Sequence, residues 1–387
     1  MTDAGKKVKQ ARKLSGLTQQ QLAEASGVSV STIRKLEQGE RSGARMETLH
    51  ALAQPLRLKT MDLVEKPKED GAPKDAQKLW AATRAELVRP PGPEADDPAT
   101  PSGVDRVLAS AETLYRDHHF TKLAVVLPGL LRDADTLASD GRDVRVRVLQ
   151  LAAGALTHTR QFDVAELVVR RSLESAQDRL EASASVNTLA WLLVRMGRLD
   201  EALALATQWA DDLEPRISRA TSSELAAWGL MLLRASGAAV RNNQREVAAD
   251  MKRFARSAAT AIGREVEVRH ETVRTFGPTT VRMLTVEDAL VKDRPDSALQ
   301  LAEHMPLFAV RPSSSVRSRH GLDVANAHAR LGEYTEAFGK LTEVQVGSPE
   351  WFPNQTLARD TLQTIVEGRR TLTPEMRHMA DTLQLIL

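Results

Sequence analysis

The side chains able to do chemistry in this 387-residue chain are suited to recognition rather than to making or breaking bonds. No phosphate-cradling Walker loop, dinucleotide fingerprint, nucleophile elbow or His-Glu-x-x-His zinc motif is present. There is no cysteine, which removes disulfides, thiolate metal sites and cysteine nucleophiles together. The nine histidines are scattered, and the adjacent pair His118-His119 would face different sides of a helix, so no metal site is expected. No catalytic activity and no cofactor are therefore expected. What remains is hydrogen bonding and surface contact. Lys35 can donate to the guanine acceptors of a DNA major groove, and Val30 can pack on a thymine methyl. The short hydroxyls of Ser29, Ser31 and Thr32 suit close approach to a nucleic-acid backbone. Elsewhere, asparagine amides can clamp an extended peptide backbone and arginines can grip a carboxylate bidentately.

Those first residues fall in a segment patterned as short helices with tight turns. Helix 1 is expected over Lys6 to Ser15, with Val8, Ala11 and Leu14 on one face, and Gly16 ends it. Thr18 is a good N-cap, and Gln21 three residues later completes a capping box for a second helix that runs to Ala25 and buries Leu22 and Ala23. Gly27 supplies a tight turn, Ser29 caps helix 3, and Gly39 stops it after Gln38. Helix 3 buries Ile33 and Leu36, helix 4 covers Met46 to Leu56, and a last turn holds Met61 and Leu63. Residues 1–66 carry 12 Lys/Arg against 7 Asp/Glu, a net of +5, while the remainder sums to −3. A small basic unit on a near-neutral body fits a domain that touches nucleic acid.

Two short helices around a glycine turn make a helix-turn-helix unit. Leu17-Thr18-Gln19-Gln20-Gln21-Leu22-Ala23-Glu24, then Gly27-Val28-Ser29, then Ile33-Arg34-Lys35-Leu36-Glu37-Gln38-Gly39 resembles the XRE family, the helix-turn-helix domains of lambdoid phage repressors and Cro. The resemblance spans about 55 residues. One departure is Ala44, near a place where members often carry proline before helix 4. The resemblance implies that Val30, Ser31 and Lys35 read bases. It implies that Ser29, Thr32 and Arg34 flank them, that Gln19 reaches a phosphate or buttresses helix 3, and that Arg41 and Arg45 meet the far phosphates. Glu37 is expected to bond inside the domain.

Residues 67–103 are rich in proline, glycine and charge, and form a linker interrupted by a short helix over about Asp75 to Val88. Within it, Pro90-Pro91-Gly92-Pro93 and the stretch Pro98 to Gly103 cannot belong to a helix interior. From Val104 onward, helical periodicity runs nearly unbroken and no strand is expected. This region repeats itself. Met196-Gly197-Arg198-Leu199-Asp200-Glu201-Ala202 recurs as Leu331-Gly332-Glu333-Tyr334-Thr335-Glu336-Ala337 and as Thr159-Arg160-Gln161-Phe162-Asp163-Val164-Ala165, with weaker copies near Phe120, Arg245 and Pro295. Each copy is a helix, a polar turn, and in most a large apolar residue, with a small one three positions on. The break at Phe276-Gly277-Pro278-Thr279 is assigned no role.

The pattern resembles the tetratricopeptide repeat, with about six copies across residues 104–345 and two closing helices over Asn354 to Leu387. Pairs that cannot bury their apolar faces alone stack into a curved solenoid with a concave groove. In that family the first helix of each pair lines the groove, which implies ligand contacts at Asn187, Trp191 and Arg195, at Arg147, Gln150 and His158, and at Arg319, Asn326 and Arg330.

The sequence therefore reads as all-α: a five-helix helix-turn-helix DNA-binding domain (1–66), a linker (67–103) and a tetratricopeptide-like α-solenoid (104–387). Domain order and both modules are similar to the peptide-pheromone-sensing, quorum-sensing regulators of Gram-positive bacteria. That likeness implies a transcription regulator that binds double-stranded DNA and takes a signalling peptide or small molecule. A homodimer is expected, because one such domain offers a small interface and two half-sites would add affinity and specificity. An adaptor whose repeats hold a protein partner is the other reading. No apolar run is long enough to span a bilayer and the first residues lack the apolar core of a signal peptide, so a cytoplasmic location is expected.

Overall fold

The computed structural model describes residues 3–39, 46–56, 58, 63, 74–89, 99–305, 308–369 and 371–385. Short apolar faces separated by left-handed glycines build the N-terminal head. Its helices are α1 (Asp3–Leu14), α2 (Gln19–Ser26), α3 (Val30–Gln38) and α4 (Met46–Ala53). Thr18 and Gln21 close the capping box, each side chain taking the other's backbone amide at 3.1 and 2.9 Å. Gly27 and Gly39 end α2 and α3 at φ of 72° and 76°, where a Cβ would be strained. Val8, Leu22, Ile33, Leu36, Leu49 and Leu52 meet in one core, which Leu56 and Leu63 join. The fifth helix expected near Met61 lies outside the described residues apart from Leu63.

The linker helix of the sequence is two short helices, α5 (Lys74–Leu79) and α6 (Ala81–Leu87), with the break at Trp80. Trp80 is fully buried in the core of the first repeats. Arg84 pairs with Asp163 at 2.6 Å, and Glu86 pairs with Arg132 at 2.8 Å. Residues 74–89 of the linker are thus fastened along the body.

The body stacks seven helix pairs: α7 (Pro101–Arg116) with α8 (Phe120–Thr136), α9 (Arg142–His158) with α10 (Phe162–Ser175), α11 (Arg179–Arg195) with α12 (Leu199–Leu213), α13 (Ser222–Arg241) with α14 (Arg245–Ile262), α15 (Pro278–Val291) with α16 (Pro295–Glu303), α17 (Ser314–Arg330) with α18 (Tyr334–Gly347), and α19 (Thr356–Gly368) with α20 (Pro374–Thr382). Its first helix begins at Pro101, where the missing N–H is no loss, and Thr100 caps it through Gly103. The first helix of each pair touches the first helix of the next along the whole series.

One turn recurs in the first six pairs. His118, Arg160, Gly197, Asn243, Asp293 and Gly332 each take positive φ. The following amide then reaches the carbonyl five residues back: His119 to Leu114, Gln161 to Leu156, Arg198 to Leu193, Gln244 to Ala239, Arg294 to Ala289 and Glu333 to His328, all at 2.8–3.0 Å. Three residues into each second helix sits Leu123, Ala165, Ala202, Ala248, Ala298 or Ala337, all buried where the paired helices cross. These are the six copies of the sequence motif.

Two expectations are corrected. A two-stranded antiparallel hairpin exists, β1 (Val266–Glu267) against β2 (Thr275–Phe276). Its strands are too short to show alternation; Phe276 belongs to it, and Gly277 caps the helix that follows. Phe276 lies against Gly229 so closely that a Cβ there would collide with its ring. The groove is also not open, because the two ends of the solenoid meet. His118 bonds Ser348 at 3.0 Å, Glu350 accepts from the Thr121 amide at 2.6 Å, and Trp351 reaches His158 at 3.1 Å. Among the described residues no helix is long and apolar enough to cross a membrane.

Replacing Ala202 by leucine should force the α11–α12 crossing apart and destabilise the body by about 1–3 kcal/mol, read as a lower midpoint in urea unfolding.

Candidate DNA interface and repeat-domain cavity

The outer face of α3 is polar and uncovered. Ser31, Arg34 and Lys35 are exposed, while Val30 and Thr32 are half-buried beside them. At its N-terminus Ser29 caps the helix by accepting from the Thr32 amide at 3.2 Å, and its hydroxyl also bonds those of Ser31 and Thr32. The helix dipole and a cluster of hydroxyls thus meet at this end, an arrangement that favours a phosphate. Arg34 and Lys35 have no side-chain partner among the described residues. Arg41 and Arg45, and Ala44 between them, lie outside the described residues.

What holds α3 in that pose is a buried ion pair. Glu37, on the inner side of α3, takes two bonds from Arg12 of α1 at 2.7 and 2.9 Å and one from Gln19 of α2 at 2.9 Å. Burial alone would raise the Glu37 carboxyl, but the Arg12 and Gln19 bonds outweigh it and hold it below the usual range. Gln19 therefore buttresses α3 in this structure, and α1, α2 and α3 are cross-tied at one carboxylate. On its other side the head rests α4 against α15 of the body.

The repeat-domain residues do face inward, but the chain itself occupies them. Asn187 is fully buried; its amide donates to Glu271 and accepts from Arg234, both at 2.6 Å. Glu271 belongs to the hairpin segment, where it also pairs with Arg274 at 3.0 Å. Burial pushes the Glu271 carboxyl up to about 7 against the pull of Arg274, Arg234 and Asn187. Trp191 lies 4.7 Å from the His158 ring and beneath the Arg274 guanidinium at 5.3 Å. Arg195 bonds the Gln355 side chain at 3.2 Å. Gln150 donates to Ser185, Arg319 pairs with Glu287 and Asp323, Asn326 donates to Thr361, and Arg330 holds Asp293 and the Leu290 carbonyl. Arg147 pairs with Asp105 and Glu112. The hairpin segment answers Asn187 and Trp191, the segment after α18 answers His158 and Arg195, and the other five are bonded by residues of the repeats themselves.

His158 forms the hub where the ends meet. Its Nδ1 accepts from the Trp351 indole, which requires a neutral ring protonated at Nε2. His118 stacks on Trp351 with ring centroids 5.5 Å apart. Burial lowers His118 to about 4, with Arg317 and His119 adding repulsion, and burial with His118 beside it holds His158 well below its usual value.

A cavity of about 600 Å³ remains at the edge of this filled interior. The hairpin segment (Glu267 to Thr275), the loop Ala309 to Ser314, Arg317, the end of α7 and Arg147 line it. Of the nine residues expected on the groove, only Arg147 lines it. The rest of the lining went unread, although one signal was present: the step from Asn243 to Asp293, at 50 residues the longest between turns, holds the hairpin. No cluster of ligands for a metal ion occurs among the described residues.

Residues 8–63 match the Helix-turn-helix family model, and this segment is a helix-turn-helix domain of XRE type. No curated protein matches the chain in sequence. Among solved structures, the chain is similar to the apo form of the competence regulator ComR from Streptococcus vestibularis, at 12% identity over 83% of this chain and 98% of that one, with a TM-score of 0.29. It is also similar to ComR from Streptococcus suis, at 15% identity over 90% and 96%, with a TM-score of 0.25. A third similar structure is the APC/C hetero-tetramer Cut9-Hcn1, at 11% identity over 96% and 68%, with a TM-score of 0.34.

Glu37→Gln should loosen α3 and destabilise the head by about 3 kcal/mol, seen as early loss of amide-exchange protection in residues 19–38. The histidine hub sets a pH dependence. Both rings have depressed values, so their contribution is complete above the unfolded value near 6.5 and is lost as pH falls toward 4. Each should add a slope of up to about 1.4 kcal/mol per pH unit in that window. Unfolding midpoints at pH 7.5 and pH 5 check this, and His118→Gln should flatten the slope.

Proposed function

We propose that the protein is a one-component transcription regulator. The head reads a DNA sequence through α3, and the repeat domain takes a signal, a peptide or a small molecule, that alters how the head is held. The observation that carries this reading is the uncovered polar face of a helix-turn-helix α3, cross-tied from behind by Arg12, Gln19 and Glu37.

In this reading Lys35 donates to guanine acceptors, Val30 packs on a thymine methyl, and Ser31 approaches a base edge. Ser29, Thr32 and Arg34 fix the register on phosphates, with Arg41 and Arg45 extending the contact along the backbone. A route for the signal is short. β2 leads through Gly277 directly into α15, and α15 is the helix on which α4 of the head rests. A ligand that shifts the hairpin would shift the support of the head. Two copies binding half-sites one helical turn apart would supply the affinity that one small head lacks.

Lys35→Ala should weaken binding to a selected operator by about 1–3 kcal/mol and relax its sequence preference. Arg34→Ala should weaken all sequences alike and lower the salt slope by about one. Gel shifts over a salt series, after selection from genomic fragments, separate the two; unchanged shifts for Lys35→Ala and Ser31→Ala would refute the reading. Light scattering of the DNA complex tests the dimer, with one protomer per operator counting against it.

A further inference from the structure

We propose that the cavity between the hairpin segment and the Ala309–Ser314 loop is the ligand site, and that it takes a small organic anion with an apolar body. This rests on the signal-binding reading and names the chemistry of its ligand.

Charge imbalance is the first ground. Arginines 116, 147, 269, 274, 311 and 317 line the cavity, with three carboxylates, Glu112, Glu267 and Glu271. Two of those carboxylates are already committed, Glu112 to Arg147 and Glu271 to Arg274. Arg116, Arg269 and Arg311 have no carboxylate partner among the described residues, and the Arg317 guanidinium is bonded to the Pro312 carbonyl. Four of these arginines therefore line one space with a single uncommitted carboxylate, Glu267. Elsewhere in the body Arg319, Arg330 and Arg198 are paired with carboxylates, and Arg195 and Arg234 are held by amide oxygens of Gln355 and Asn187. Burial, with Arg311 beside it, lowers Arg317, which fits an unbalanced positive site.

Shape and surface supply the second ground. A volume of about 600 Å³ lies in the range that holds a small ligand. Val268, Val273, Val310 and Pro312 give it an apolar wall, and Val310 is 38% exposed, one of few large apolar side chains so placed. Planar guanidiniums above apolar carbon suit a carboxylate, sulfonate or phosphate carried on a hydrocarbon or aromatic body. A free inorganic ion would leave the apolar wall wet, and a neutral apolar molecule would leave the guanidiniums unanswered.

The test uses the full chain without DNA, so it is independent of the fate of the α3 reading. Anilinonaphthalene sulfonate, an aromatic anion, is titrated by fluorescence, and octanoate and its neutral isostere octanamide are added as competitors. Saturable binding is expected, displaced by octanoate and not by octanamide. Arg269→Ser with Arg311→Ser, both exposed and unpaired, should raise Kd at least tenfold with an unchanged unfolding midpoint. Glu267→Gln should tighten binding of octanoate, read by its displacement of the dye, two- to threefold with an unchanged unfolding midpoint, which separates the gain from dye uptake by a loosened core. Absence of saturable binding, equal displacement by octanamide, or unchanged affinity in both variants would overturn the proposal. Dye binding with failed gel shifts leaves the site standing and removes only the DNA reading; the converse removes only the site.

Discussion

A single amide that reaches back five residues, past one left-handed residue, sets the geometry of the whole body. It ends one helix and starts the next at a fixed angle, and the chain makes it six times between His118 and Gly332. The angle brings the paired helices together at a small side chain in five of the six repeats, and neither helix could bury its apolar face without the other. Stacked pairs with a constant rotation then curve, and here the curvature is enough for the last pairs to touch the first. The position of the inner side chains, the seating of the hairpin and the docking of the head all follow from that repeated turn.

The interior created by the curvature is polar, which solvent would normally fill. The chain fills it with its own segments instead. Glu271 enters from the hairpin and answers Asn187 and Arg274; Trp351 and Gln355 enter from the segment after α18 and answer His158 and Arg195. Burying such groups is costly unless each has a partner, and most do. At the cavity, arginines outnumber the carboxylates that could answer them. In the head, one carboxylate plays the corresponding role on a small scale: Glu37 ties three helices from behind and leaves Arg34 and Lys35 exposed on the outer face of α3.

Most of this architecture was legible from local pattern. The capping box at Thr18 and Gln21, the glycines at 27 and 39, and the Met-Gly-Arg-Leu type of turn are short-range devices whose residues stand next to each other in the chain. The face of each inner helix was legible too, since Asn187, Trp191 and Arg195 share it by spacing alone. What covers that face was not. Glu271 comes from 84 residues beyond Asn187, and Trp351 from 193 beyond His158. No periodicity links those positions. The hairpin escaped because two-residue strands carry no alternation, and the cavity arginines because their neighbours in space are strangers in sequence. The short helix expected within the linker was legible from its composition, but that Trp80 beside it enters the core of the repeats was not.

The meeting of the two ends has a kinetic consequence. Most contacts within the repeats join neighbours in sequence and can form quickly as each pair is completed, since closing short loops costs little entropy. The seam between His118, His158 and Trp351 is different, because it must wait for more than two hundred residues to be in place. During synthesis, the parts of the His118 and His158 rings that Trp351 meets therefore stay uncovered until that segment has emerged, and closure comes late in making the body.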